Sequence, residues 1–80
     1  MAKIVCYRTD GVKFVLYEDV PRSKLNEMYR QKQKAAEEDP QVSVTKLSTT
    51  SFEVCDDGLP YTTTYVLRGD GWPSNHGEPL

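Results

Sequence analysis

Apolar and polar positions alternate along this chain in two different periods, and the change of period divides it into elements. From Leu25 onward, Met28, Tyr29, Lys32, Ala35 and Ala36 recur at the spacing of one helical face. The stem of Lys32 extends that stripe while its ammonium reaches water. Ser23, Glu27, Arg30, Lys34 and Glu38 occupy the opposite face, with Glu27/Arg30 and Lys34/Glu38 as opposite charges at i,i+3 and i,i+4. Pro21 suits a first helical turn and Pro40 cannot continue the ladder, so the spacing predicts a helix over Pro21–Glu38. Asp19 and Ser23 are both candidate caps.

On either side of this helix the period falls to two. Lys3–Glu18 holds two apolar runs separated by Asp10-Gly11, the signature of a two-residue hairpin turn. That turn pairs Thr9 with Val12, Tyr7 with Phe14, Val5 with Leu16 and Lys3 with Glu18. Val5, Tyr7, Val12, Phe14 and Leu16 then share the face turned to the helix. Ile4, Cys6, Arg8, Lys13, Val15 and Tyr17 share the other face, which is half apolar where a solvated sheet face is normally polar. Val42–Leu47 and Ser51–Cys55 read as a second hairpin. A three-residue turn (Ser48, Thr49, Thr50) opposes Val44 to Val54 and Lys46 to Phe52, and keeps the apolar residues on one face. Asp56–Pro60 is a loop by composition, and Tyr61–Arg68 is a Thr/Tyr/Val-rich strand with Tyr65 and Leu67 inward.

The expected fold is therefore α+β, in the order ββαβββ, with one helix packed on one face of a largely antiparallel sheet. A single domain spans residues 1–68, and residues 69–80 form an irregular tail. The expected core is Val5, Tyr7, Phe14, Leu16, Leu25, Met28, Tyr29, Ala36, Val44, Phe52, Val54, Tyr65 and Leu67. Eighty residues have room for one such core. No apolar run approaches the ~18 residues of a membrane span, and the N-terminus lacks a signal-peptide apolar region. The expected location is cytoplasmic, with no membrane partner. Two cysteines, Cys6 and Cys55, are too few for a disulfide framework and read as buried thiols.

Charge refines the picture without overturning it. The net charge of −2 is the sum of two unlike halves. Residues 1–34 carry eight Lys/Arg against four Asp/Glu, a net +4, and residues 35–80 carry two against eight, a net −6. No catalytic constellation stands out. The single His76 lies in the tail with no metal-ligand spacing around it, so no metal or cofactor is expected. Cys6 falls mid-strand and Cys55 lies beside Asp56 and Asp57, a poor setting for a thiolate. Asp10, Asp56 and Asp57 lack the alternating ligands of a calcium loop. Gly69-Asp70-Gly71 lacks the strand-to-helix context of a phosphate loop. Arg68-Gly69-Asp70 is a tripeptide that recurs by chance.

The reading that follows is a small non-enzymatic protein-binding module that modulates or inhibits a larger partner protein. Ile4, Cys6, Arg8, Lys13, Val15 and Tyr17 are its contact face, an apolar patch with a basic rim. Its size alone resembles that of host-modulating phage or mobile-element proteins. A homodimer through the outer sheet face or an edge strand is a further expectation. The alternative is a nucleic-acid-binding accessory protein using Arg8, Lys13, Arg22, Lys24, Arg30 and Lys34, and the acidic pI near 5.3 weighs against it.

Overall fold

The computed structural model describes residues 1–69 of the 80-residue chain. The elements are β1 (Ala2–Arg8), β2 (Lys13–Val20), α1 (Lys24–Glu38), β3 (Val42–Ser48), β4 (Ser51–Asp56) and β5 (Thr62–Arg68). They form an α+β fold with one helix packed against a five-stranded antiparallel sheet of order β2-β1-β5-β4-β3. The last strand thus inserts between the two hairpins. Strands β2 and β3 form the edges. The expected tail, with Trp72, His76 and the Gly69-Asp70-Gly71 and Arg68-Gly69-Asp70 motifs, falls wholly or partly outside the described residues.

The helix begins three residues later than the periodicity predicts. Neither Asp19 nor Ser23 caps it by a side-chain hydrogen bond: Ser23 already has helical angles and makes no cap bond. The Lys24 N–H instead donates to the Pro21 carbonyl at 2.9 Å, so residues 21–23 make a turn that leads into the helix. The C-terminus is as expected, with Asp39 extended before Pro40. Glu27 pairs with Lys24 (3.6 Å) rather than with Arg30.

Leu25 and Met28 of α1 bury onto Ala2, Ile4, Phe52 and Leu67, flanked by Val20, Tyr29, Val44, Val54 and Tyr65. Phe52 is the hub, stacked on Tyr65 (centroids 4.9 Å apart) and tilted against Tyr29 (5.5 Å). The second hairpin has the expected pairs, Val44 with Val54 and Lys46 with Phe52, but a register shift after Lys46 brings Ser48 opposite Ser51, so the turn is Thr49-Thr50 and not the expected three residues Ser48–Thr50. Tyr65 and Leu67 point inward, as expected.

The first hairpin is one residue out of the expected register. The Arg8 N–H donates to the Val12 carbonyl (2.8 Å) and the Gly11 N–H to the Arg8 carbonyl (3.1 Å). Thr9, Asp10 and Gly11 therefore form a three-residue loop, with Gly11 at φ +95° in the left-handed region. Asp10 fastens it, accepting from the Arg8 guanidinium (2.5 Å) and the Val12 N–H (3.3 Å). Tyr7 now faces Lys13, Cys6 faces Phe14 and Val5 faces Val15. Because side chains alternate, this slip turns β1 over relative to the expectation. Ile4 and Cys6, expected outside, are 0 % and 1 % exposed on the helix side. Val5 and Tyr7 lie on the opposite face; Val5 is still buried there, at 2 % exposure, whereas Val12, Phe14 and Leu16, also expected inside, are exposed.

Candidate partner-binding edge

The shift in the first hairpin dismantles the expected six-residue contact face. Ile4 belongs to the core cluster. Cys6 lies beside Tyr65 and Lys32, and burial pushes its thiol up to about 11, the opposite of nucleophile activation. Arg8 is held to Asp10, and its guanidinium lies 3.7 Å from the Tyr61 ring centroid. The remaining three members, exposed Lys13 and Tyr17 and half-buried Val15, all belong to β2.

Strand β2 is also irregular, and this sets which way its side chains point. Its register against β1 shifts between the Val5–Val15 and Ile4–Tyr17 pairs, and again before Ala2–Val20. The first shift is a bulge near Leu16. Phe14 opposes Cys6 and Tyr17 opposes Ile4, so both rings point to the helix side although three positions separate them. Lys13 and Val15 oppose Tyr7 and Val5 on the other side. Glu18 also lies on that side, reaching Lys3 at 3.9 Å. The expected Lys3–Glu18 pair thus survives the wrong register, because the bulge offsets the slip. At the second shift Asp19 takes a left-handed φ of +53°, which Asp tolerates better than most residues.

The helix packs chiefly over β3, with further contacts to β4 and β5. It leaves β2 outside its main footprint. Val12, Phe14, Leu16 and Tyr17 are between 38 % and 44 % exposed, a concentration of large apolar side chains on and beside one strand. Counted from the bonded Arg8–Val12 pair, antiparallel alternation turns the N–H and C=O groups of Lys13 and Val15 away from β1, toward the free edge. The edge combines unpaired main-chain groups with apolar side chains on both sides of the sheet. On the open face, Val15, Val5 and Val66 make a row across β2, β1 and β5. Among the described residues no helix covers that face.

A cleft of about 300 Å³ lies elsewhere, between the second half of α1 and the β4–β5 loop. Lys32, Asp56, Tyr61, Thr63 and Tyr65 are among the residues that line it. Asp56 ends β4 there, its carboxylate holding the following turn by accepting the Gly58 N–H at 2.8 Å.

The basic residues expected for nucleic acid are divided by the fold. Lys13 points to the open face, whereas Lys24 stands 4.8 Å from the Tyr17 ring on the helix side, and Arg22, Arg30 and Lys34 project from the helix segment into solvent. Each of the five tyrosines already has a cation near its ring: Arg8 at Tyr61, Lys24 at Tyr17, Lys32 at Tyr65, Lys46 at Tyr29 and Arg68 at Tyr7, at 3.7 to 5.9 Å. Rings covered in this way are poor stacking platforms for bases.

Sequence reasoning missed Val12, Phe14 and Leu16 as surface residues. A signal was present: Ala2, Ile4 and Cys6 are uniformly apolar, whereas the alternate set contains Lys3. No helix of the described residues is long and apolar enough to cross a membrane. Comparison with protein-family models, with curated proteins and with solved structures finds no match.

Proposed function

We propose that this chain is a small non-enzymatic protein-binding module that modulates a larger partner through edge strand β2. The observation that carries the reading is the pairing of a free sheet edge with exposed Val12, Phe14, Leu16 and Tyr17. Isolated apolar residues on a surface are ordinary, but four within six positions on and beside an edge strand are a docking feature or a hazard. An extended partner segment adding to β2 supplies main-chain hydrogen bonds, and contacts with alternate side chains provide selectivity.

Affinity capture with tagged protein tests this reading, using Phe14→Glu at the edge and Leu47→Glu on the opposite edge strand as control. Both parent residues are exposed, so each variant is expected to keep its fold. A captured protein should be lost with Phe14→Glu and kept with Leu47→Glu. Equal capture by Phe14→Glu and the unmodified chain would remove β2 as the contact element.

A further inference from the structure

The pattern of side chains on β2 identifies an occupant for its edge. Lys13-Phe14-Val15-Leu16-Tyr17-Glu18 reads as a near-complement of itself in reverse. Laid antiparallel against a second copy so that position 14 meets position 17, Lys13 faces Glu18, Phe14 faces Tyr17 and Val15 faces Leu16. Every pair then occurs twice about a two-fold axis, as an isologous interface requires. The neighbouring registers are worse. Centring on Leu16 sets Phe14 against Glu18, and centring on Val15 sets Lys13 against Tyr17.

In a regular strand this register is forbidden, because positions 14 and 17 point to opposite faces while cross-strand partners must share one. The bulge removes the obstacle. Phe14 and Tyr17 both lie on the helix side, opposite Cys6 and Ile4. Lys13 and Glu18 both lie on the open face, beside Tyr7 and Lys3 respectively. Neither Lys13 nor Phe14 has an ion-pair, hydrogen-bond or ring partner within the described chain that would have to be given up. Bulges ordinarily discourage edge pairing. Here the bulge admits a strand that carries the same irregularity.

We infer that β2 pairs with β2 of a second copy, joining two five-stranded sheets into one and closing the partner-binding edge in the free protein. The inference rests on the reading of β2 as a contact element and adds its regulation: self-pairing and partner binding compete for one edge. A partner strand engages only the dissociated chain.

Sedimentation equilibrium of the full chain over a wide concentration range, with two charge reversals, tests it. Lys13→Glu alone places two carboxylates against each other at both ends of the interface, and Glu18→Lys alone places two ammonium groups there. Each variant by itself should dimerise about tenfold or more weakly than the unmodified chain. An equimolar mixture of the two should recover dimerisation, because in the mixed dimer every facing pair is again acid against base. A chain that stays monomeric at all concentrations overturns the inference, as does a mixture no better than its components. Amide exchange on the unmodified chain gives a second readout that needs no variant. Protection at Lys13 and Val15 should rise with concentration, and concentration-independent exchange counts against self-pairing. Loss of self-pairing with capture still dependent on Phe14 would leave β2 a partner site. Self-pairing with capture indifferent to Phe14 would instead remove the larger-partner reading.

Discussion

Substituting Ile4 and Phe14 by alanine in separate variants separates two registers of the first hairpin that the sequence alone leaves in competition. Ile4 is fully buried between β1 and the helix, in contact with the Leu25–Met28–Phe52 cluster. Ile4→Ala loses the transfer energy of the removed carbons and leaves a cavity, together about 3–4 kcal/mol. Phe14 is 44 % exposed on an edge strand. Its truncation forfeits about half of a buried ring's transfer energy and leaves no enclosed void, giving about 1–1.5 kcal/mol. At the entropy of unfolding of a domain this size, roughly 4–8 °C per kcal/mol, Tm should fall by about 12–32 °C for Ile4→Ala and by about 4–12 °C for Phe14→Ala. Urea and thermal melts followed by circular dichroism measure both. A domain of this length has roughly 4–12 kcal/mol to lose, so Ile4→Val, at about 1 kcal/mol, is the fallback if the alanine variant does not fold. The two-residue Asp10-Gly11 turn buries Phe14 and exposes Ile4. A larger loss at Phe14 than at Ile4 would therefore refute the three-residue loop and everything argued from the face of β1.

Gly11→Ala should cost about 1–2 kcal/mol in the same melts, because Gly11 has a left-handed φ, and Gly11→Asn should cost less. Under native conditions a thiol reagent should modify half-buried Cys55 well before Cys6, and equal rates would contradict the burial of Cys6. Folded Cys6 keeps its proton to about 11, whereas an unfolded thiol loses it near 9. Between those values the unfolded state binds fewer protons, so stability falls as pH rises, and Cys6→Ala should remove that part of the slope. Asp10 is held below the ordinary aspartate range, first by its hydrogen bond from Arg8 and then by the Val12 N–H. Its contribution is present at neutral pH and is lost as pH falls through its depressed pKa. Carbon-detected NMR titration should show Arg8→Leu returning Asp10 toward the ordinary range.

Much of the architecture is legible in the sequence, for identifiable reasons. The Leu25–Met28–Tyr29 spacing demands a helix with one apolar face, and Pro40 stops it. The second hairpin has a single register that keeps Val44, Phe52 and Val54 on one face, and the observed pairs follow it. The first hairpin has no such safeguard. Both faces of Ala2–Arg8 carry apolar residues, so a one-residue slip changes every side chain's environment with little change in pattern. The local preference for a two-residue Asp-Gly turn is weaker than the packing gained by seating Ile4, with Ala2, beneath the helix.

The composition of the chain, its periodicities and its prolines determined a one-helix, five-strand α+β domain with Phe52, Leu25 and Met28 at its centre. Burial in so short a chain admits few alternatives. Tertiary packing alone decided which face of β1 the helix covers, that β5 inserts between the hairpins, and that β2 is left at an edge with its apolar side chains in solvent. Those choices depend on the fit of side chains distant in sequence, on a bulge at Leu16 and on a glycine in left-handed geometry. None of these has a period that a linear pattern can reveal.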